Sequence, residues 1–123
     1  MLYQFRNEKG GIGSASSGTF IDPSGNTRHL TLDEFNIEVM DQWKSPRSQA
    51  LYPTHWRLTI FPLSIQLNIY SNLSNQEMQT PETTGVTYWE GSVSISGSAG
   101  KHPVKGSGYA ELTGYAQSFN APM

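Results

Sequence analysis

The chain of 123 residues contains no cysteine, which excludes disulfide bonds and thiol catalysis. It has no apolar run approaching the roughly 20 residues that a membrane-spanning helix requires. Its eight Lys and Arg residues are scattered and the net charge is -2, so the basic patch of a nucleic-acid-binding protein is missing. No charged segment followed by an apolar one opens the chain, and we expect a cytoplasmic product.

Common signatures of catalysis and cofactor binding are also missing. The three His residues are isolated and have no metal-ligand spacing, so we predict neither a metal site nor a cofactor. The glycine-rich residues 10–13 and 106–108 lack the Lys-Ser/Thr pair of a phosphate-binding loop, and no Gly-x-Ser-x-Gly elbow is present. His55, beside Trp56, is the His that could act as a base.

Alternation of apolar and polar residues is the dominant pattern, and no long segment has the 3.6-residue period of a helix. In residues 35–43, for example, the odd positions from Phe35 to Trp43, including Asp41, are predicted to share one face. The predicted strands cover residues 2–6, 18–22, 28–32, 35–43, 56–60, 63–70, 88–97, 104–106 and 109–116. A turn at residues 22–26, a loop at 45–53, a polar segment at 71–85 and a turn at 98–101 separate them.

Eight to nine short strands with one polar face predict an antiparallel, all-β domain, either a sandwich or a barrel. A barrel is favoured because closure removes exposed strand edges. The length fits one domain over residues 1–123. Within it we predict a mobile Gly/Ser-rich loop at residues 7–17 and a frayed tail at residues 117–123.

Two motifs near the end of the chain are specific. They are Tyr-Trp-Glu-Gly at residues 88–91 and Gly-Ser-Gly-Tyr-Ala-Glu-Leu-Thr-Gly-Tyr at residues 106–115. They resemble the closing signature of a lipocalin-like family of predicted secreted hydrolases, which is related to carotenoid 1,2-hydratases (hydroxyneurosporene synthases). The supporting matches upstream are Leu2-Tyr3 with Arg6, residues 18–22 with Gly25, Tyr52-Pro53 with Trp56, and Gln76-Glu77.

The resemblance implies a calycin-type barrel and a two-domain architecture. Family members usually carry two lipocalin-like domains, and this chain resembles the second. They also have a strand before the position of Leu2, where this chain has Met1. An open strand edge invites pairing with another chain, so we expect a homodimer in which a second copy covers that edge. Relatives in the family are described as secreted.

Carboxylates in the matched motifs are the first candidates for catalysis: Glu77, Glu90 and Glu111. A hydratase needs a proton donor and a base, and two carboxylates with separated pKa values can fill these roles. The predicted catalytic candidates are Glu90, Glu111, Tyr109 and Tyr115. One interpretation turns the face shared by Tyr109, Glu111 and Tyr115 inward to line a pocket. The interpretation that we weight more heavily gives these residues structural hydrogen bonds or ion pairs.

Aromatic residues on the strand faces point to ligand binding. Trp43, Trp56 and Trp89 are predicted either to anchor the core or to line a small-molecule pocket. The predicted ligand-binding residues are Trp43, Trp56, Tyr88, Trp89, Tyr109 and Glu111.

Three functions are compatible with these patterns. We favour a non-catalytic module that binds a small hydrophobic or amphipathic ligand. The second is an enzyme of the hydratase or hydrolase type, which we consider less favoured for this chain alone. The third is a structural or assembly domain that acts as a homodimer.

Overall fold

The computed structural model describes residues 1–4, 16–80 and 86–115. Short strands separated by turns dominate this part of the chain, as the alternating pattern predicts. The strands are β1 (Leu2–Tyr3), β2 (Ser17–Ile21), β3 (Thr27–Leu30), β4 (Phe35–Lys44), β5 (Leu51–Ile60), β6 (Ile65–Ser71), β7 (Glu77–Thr80), β8 (Val86–Ala99) and β9 (His102–Leu112). Single turns of 3-10 helix lie at Leu32–Glu34 and Phe61–Leu63.

The strands form two antiparallel sheets. The smaller sheet has the order β1-β2-β3. In the larger sheet β4, β5, β6 and β8 are consecutive, and β7 and β9 also pair with β8. Because β9 pairs with β8 along residues 89–99, β6 and β7 share the other side of β8. The larger sheet curls into a half-barrel, and among the described residues no ladder joins it to the smaller sheet.

The all-β, antiparallel, lipocalin-like fold predicted from the sequence is therefore confirmed, with nine strands in the described chain. The described strands do not close into a complete barrel, because β9 pairs with β8 and with no other described strand. The inner side of the half-barrel faces the smaller sheet, because residues of that sheet pack against it.

Turn chemistry sets two of the connections. In the β2–β3 turn the Asp22 carboxylate accepts hydrogen bonds from the backbone N–H groups of Ser24 and Asn26, both at 2.9 Å. Gly25 in that turn has φ +90°, a conformation that residues with a Cβ rarely adopt. Between β5 and β6, Pro62 lies in a 3-10 turn and ends the strand, as predicted.

Buried residues gather at two places on the inner face. The aliphatic cluster consists of Leu30, Phe35, Leu58 and Ile60, and Leu2 and Phe20 of the smaller sheet pack against it. The aromatic cluster consists of Ala50, Tyr52 and Trp89. Partly buried residues that pack against the aromatic cluster are Trp43, Ala110, Leu112 and Tyr115.

A double irregularity in the β4–β5 pairing changes the face of one predicted residue. The register passes from Val39↔Trp56 to Asp41↔His55 and then to Gln42↔Pro53. The prediction that Asp41 shares a face with Val39 is wrong, because the extra residue of a bulge reverses the alternation. Hydrophobic alternation alone does not reveal such a bulge.

Several predicted boundaries also differ. β5 begins at Leu51, inside the predicted loop at residues 45–53, and its Pro53 lies at the register irregularity. β7 lies inside the predicted polar segment at residues 71–85. The sequence did not predict this strand because its four residues show no apolar alternation, and strand propensity depends strongly on context.

The bounds of the last strand and of the predicted loop at residues 7–17 also differ from the prediction. β9 is one continuous strand that ends at Leu112. Ser16 is buried and Ser17 begins β2, so the predicted mobile loop at residues 7–17 is wrong at its end. Residues 5–15 and the predicted tail at 117–123 lie outside the described residues.

Candidate functional site

A carboxylate bound by three hydroxyl groups is the most concentrated polar feature of the inner face. Glu77 begins β7 and pairs with Trp89, which places its side chain on the inner face. Its Oε1 accepts a hydrogen bond from Ser45 Oγ at 2.6 Å, and its Oε2 accepts one from Tyr52 Oη at 2.7 Å. Ser48 Oγ also donates to Oε2. Tyr52 and Ser45 are fully buried.

The two serines belong to the tight β4–β5 connection, whose local chemistry aims their hydroxyls. Ser45 Oγ accepts hydrogen bonds from the N–H groups of Arg47 and Ser48, each at 3.1 Å. The N–H of Ser45 donates to the carbonyl of Ala50 at 2.8 Å. Gln49 takes a left-handed conformation with φ +66°, which lets the turn close. The hydroxyl protons are thereby left to point at Glu77.

These contacts fix the ionisation of the site. Burial raises the pKa of Glu77, but the hydrogen bonds from Ser45, Ser48 and Tyr52, together with the charge of Arg47, outweigh it and hold the pKa below the usual 4.5. Burial and the neighbouring Glu77 carboxylate raise the pKa of Tyr52 far above its ordinary value. At neutral pH the pair is therefore a carboxylate and a neutral phenol.

Aromatic rings surround the Tyr52–Glu77 pair. The Trp43 and Tyr52 rings are stacked with centroids 6.2 Å apart, and the Tyr52 and Tyr115 rings are tilted with centroids 5.9 Å apart. Trp89 is fully buried, and its Nε1–H donates to the carbonyl of Ser74 at 2.8 Å. Every buried side-chain N or O atom of the described residues has a hydrogen-bond partner, so the polar groups of this region are satisfied.

Gly91 shows why two of the matched motifs occur together. A Cβ atom at Gly91 would collide with the side-chain amide of Gln76, which lies against it and donates to the carbonyl of Leu73 at 2.9 Å. The N–H of Glu90 donates to the carbonyl of Gln76 at 3.2 Å. The Gln76-Glu77 and Tyr-Trp-Glu-Gly motifs are thus two sides of one β7–β8 contact.

A partly covered apolar patch lies between the aliphatic and aromatic clusters. One transverse row of the sheet runs from Trp56 through Ile69 and Ile95 to Gly106. Trp56 is buried, whereas Ile69 and Ile95 are only half-buried. A Cβ atom at Gly106 would meet no atom within 4 Å, whereas one at Gly108 would lie 3.2 Å from the side chains of both Val93 and Ile95. The row therefore ends in open space at β9.

Four predicted site residues meet on the opposite, outer face. Glu90 and Glu111 are directly paired across β8 and β9, and Tyr109 pairs with the adjacent Ser92. Tyr88 lies two residues before Glu90 on the same face. Partial burial, followed by the charges of Glu90 and Glu111, raises the pKa of Tyr109. Tyr109 is nevertheless 64% exposed.

Tyr115 is separated from this outer group. β9 ends at Leu112 and Gly114 has φ +80°, so the chain turns and Tyr115 packs against the aromatic cluster. The interpretation that turned Tyr109, Glu111 and Tyr115 inward together is therefore not the observed arrangement. Their predicted chemical roles stay predictions.

His55 also lies on the outer face, where its environment is defined. Its ring stacks on Tyr70 with centroids 4.1 Å apart, and its Nε2 lies 3.1 Å from Oδ1 of Asn68. Among the described residues no group of three or more His, Asp or Glu side chains is placed to hold a metal ion. No helix in the described chain is long and apolar enough to cross a membrane.

Known proteins are similar to this chain in sequence and fold. A family model described as AttH-like matches residues 1–115. The chain belongs to the AttH-like family. A crystal structure assigned to AttH from Nitrosomonas europaea has a TM-score of 0.83 and 32% identity, and the match covers 95% of this chain and 34% of that one.

A more distant solved structure shares the fold of this AttH-like chain. Kievitone hydratase from Nectria haematococca has a TM-score of 0.69 at 23% identity, and the match covers 91% of this chain and 33% of that one. No curated protein matches the sequence. The AttH-like chain therefore spans about a third of the length of each of these two structures.

Sequence reasoning found part of the Glu77 site and missed the rest. Glu77, Tyr52 and Trp89 stand in the matched motifs, but the sequence did not show that they meet. Ser45 and Ser48 were not singled out, because they lie 32 and 29 residues before Glu77. The available signal was the run Ser-Pro-Arg-Ser at residues 45–48, a composition typical of a turn closed by serine hydroxyls.

An open groove runs along the bulged part of β4, and its Val39 is paired with Trp56 of the apolar row. Its volume is about 550 Å³, and it combines exposed apolar side chains with charged ones. The lining residues are Val39, Met40, Asp41, Gln42, Lys44 and Leu51. It offers a second surface at which a small apolar probe could bind, and experiments on the inner face must distinguish the two.

Proposed function

We propose that this AttH-like domain binds a small hydrophobic or amphipathic ligand at the inner face of its half-barrel. The observation that carries the proposal is the row from Trp56 through Ile69 and Ile95 to Gly106, which is apolar, half-covered and open at β9. Sites for small molecules are typically concave and apolar with a few polar groups. Here the polar group is the Glu77 carboxylate at one end of the same face.

Fold relationships support the proposal. Lipocalin-type barrels of this size hold either packed side chains or one small ligand. One structural neighbour is a hydratase, an enzyme that acts on a small molecule. Fold alone does not specify function, so the inner-face geometry of this chain carries the argument.

The test fills the proposed space without disturbing the core. Gly106→Val places a side chain where a Cβ meets no atom, on a strand that favours β-branched residues. We expect the variant to fold normally and to bind an apolar fluorescent probe such as anilinonaphthalene sulfonate about tenfold more weakly. Quenching of tryptophan fluorescence by the probe gives a second readout, since Trp56 lies in the same row.

Matched controls locate the binding. Ser107→Val adds the same side chain to the outer face of the same strand and should leave probe affinity unchanged. Met40→Glu should weaken binding only if the probe occupies the groove along β4. Equal affinity in wild type and Gly106→Val would overturn the inner-face proposal.

Hydratase-type chemistry is the second candidate. It is favoured by the direct pairing of Glu90 with Glu111 beside Tyr109, which gathers two carboxylates and a phenol on one face. The expected result is that the Glu111→Gln variant folds but no longer adds water to an alkene-containing substrate. Mass spectrometry would detect the added water, and equal turnover in the variant would remove Glu111 from the mechanism.

The sequence predicts a homodimer that covers the edge before Leu2, and the structure adds another candidate edge, that of β9. Among the described residues, no strand pairs with the edge of β9 that faces away from β8. We propose that a second copy of the chain covers this edge, because an uncovered edge favours association. Native mass spectrometry at micromolar concentration should show a dimer, and a monomer would contradict the proposal.

A further inference from the structure

The larger sheet contains a place where two neighbouring segments lack backbone pairing. The β5–β6 ladder begins at His55↔Tyr70, so residues 51–54 of β5 extend beyond the end of β6. On the same side of β8, β6 pairs with residues 93–99 and β7 pairs with residues 86–89, through the ladder from Glu77↔Trp89 to Thr80↔Val86. In the described chain no ladder joins β5 to β7. We call this boundary, between residues 51–54 and β7, the seam.

Among the described residues, side-chain hydrogen bonds span the seam. Tyr52 of β5 donates from Oη to Glu77 of β7 at 2.7 Å. Ser45 and Ser48, in the turn that precedes β5, donate to the same carboxylate. The polar contacts between the end of the β4–β5 hairpin and β7 therefore share one carboxylate, which lies beside the apolar packing of Tyr52 with Trp89. We call Glu77 with its three hydroxyl donors the Glu77 latch.

We propose that the Glu77 latch is an acid-sensitive device: protonation of its carboxyl opens the seam and exposes the aromatic cluster at the end of the inner face. Hydrogen bonds to an ionised carboxylate are roughly twice as strong as those to a neutral acceptor. Loss of the charge therefore weakens all three hydroxyl contacts at once. Segments held by few contacts open locally before the whole domain unfolds.

The groups around Glu77 set the direction and range of the response. Arg47 in the preceding turn and Tyr52 on β5 are the charged and titratable groups that act on it. From β8 it faces Trp89, which is neutral, while the adjacent Glu90 lies on the outer face. The hydrogen bonds from Ser45, Ser48 and Tyr52, together with the charge of Arg47, hold the pKa of Glu77 below its usual 4.5, so the latch stays closed at neutral pH. Opening is expected only in acid.

This inference rests on the proposed function, because opening of the seam would control access of a ligand to the inner face. Opening would uncover Tyr52 and Trp89, both fully buried in the closed arrangement. The aliphatic cluster at the other end contains no ionisable residue and should stay closed. A local measurement that needs no ligand can therefore test the latch separately from ligand binding.

Hydrogen exchange followed by mass spectrometry supplies that measurement. Exchange rates at pH 6 and at the lowest pH at which the domain stays folded by tryptophan fluorescence, corrected for intrinsic exchange, would be compared for peptides covering the seam and peptides covering residues 58–69. We expect exchange at the seam to accelerate at least tenfold at the lower pH, with residues 58–69 unchanged. Uniform acceleration across all peptides would mean global unfolding, and unchanged protection at the seam would mean no latch. Either result overturns the proposal.

Variants separate the Glu77 charge from other acid effects. Glu77→Gln should exchange fast at the seam at both pH values, whereas Glu38→Gln, an exposed acid on β4, should behave as wild type. If Glu77→Gln does not fold, Tyr52→Phe removes a single donor and keeps the ring, and it should show intermediate seam exchange. A Tyr52→Phe profile identical to wild type would count against the latch. Normal probe binding that remains sensitive to Gly106→Val would then show that the proposed function stands without it.

Discussion

The two ends of the inner face are stabilised by different interactions, apolar burial at one end and hydrogen bonds to a carboxylate at the other. At one end the aliphatic cluster joins the two sheets through Leu30, Phe35, Leu58 and Ile60, over continuous β4–β5 and β5–β6 ladders. At the other end the aromatic cluster lies beside the seam, where the Glu77 carboxylate and three hydroxyl groups replace a ladder. Apolar burial has no direction and no charge, whereas the latch depends on both.

The two ends of the inner face should therefore respond differently to pH. Both ends contain large buried side chains, so both contribute to stability. The aliphatic cluster itself contains no ionisable side chain, although the nearby Glu34 carboxylate also has a lowered pKa through its hydrogen bonds from Thr31 and Arg28. Two strands of the larger sheet that lack backbone pairing, β5 and β7, are bridged by an ionisable side chain at the aromatic end. Mutations at the aliphatic end should change stability by the same amount at every pH, and mutations at the latch should not.

Leu58→Ala should have the largest effect. Leu58 is buried in the aliphatic cluster, and such truncations cost about 2–5 kcal/mol through lost burial and the cavity that remains. Denaturant unfolding followed by tryptophan fluorescence at pH 7 and pH 4.5 should give the same loss at both values. A loss that shrinks markedly in acid would show that the aliphatic end is coupled to the latch, contrary to the comparison.

Glu77→Gln should have the next largest effect and a different pH dependence. Losing the charge at a partly buried hydrogen-bonded site should cost about 1–3 kcal/mol at pH 7. The folded pKa of Glu77 lies below 4.5, so its ionised form contributes stability above pH 4.5 that is lost as the pH falls through the folded pKa. The difference between wild type and variant should therefore narrow in acid, and a difference independent of pH would contradict this account.

Tyr52→Phe probes the other partner of the latch. Removing one hydroxyl hydrogen bond to a charged acceptor should cost about 1–3 kcal/mol at pH 7. The folded pKa of Tyr52 is raised above its ordinary 10.0, so its neutral form contributes stability below pH 10 that is lost as the pH rises toward the folded pKa. Unfolding between pH 8 and pH 11 should show this alkaline loss in wild type, and Tyr52→Phe should reduce it.

The aliphatic end was largely predictable from the sequence. The alternation from Leu63 to Tyr70 is regular, and it gave β6 and the apolar face that Leu67 and Ile69 share. Pro62 predicted the end of β5, and Pro23 with Gly25 predicted the turn that follows Asp22. Each of these signals is local, so a single segment of sequence contains it.

The aromatic end was not predictable in the same way. β7 reads Glu-Met-Gln-Thr, which has no apolar alternation, and its strand conformation depends on pairing with β8. The donors to Glu77 lie between 25 and 32 residues away in the sequence, so only the fold brings them to the carboxylate. The bulge at Asp41 likewise arises from pairing rather than from composition.

The smallest predicted effect concerns the outer face. Glu90 and Glu111 are directly opposite each other, and like charges in that position destabilise a sheet. Glu90→Gln should therefore stabilise the domain by about 0.2–1 kcal/mol at low salt, and added salt should reduce the gain because it screens exposed charges.

A second outer-face pair provides the matched control. Glu38 lies opposite Arg57, so the same substitution there removes an attraction instead of a repulsion. Glu38→Gln should destabilise the domain by a few tenths of a kcal/mol at low salt, about the value of an exposed ion pair. Opposite signs in the two variants would show that the outer face responds to local charge pairing alone. If Glu90→Gln instead destabilises the domain, a favourable contact of Glu90 outweighs its repulsion from Glu111, and local charge pairing does not explain the outer face.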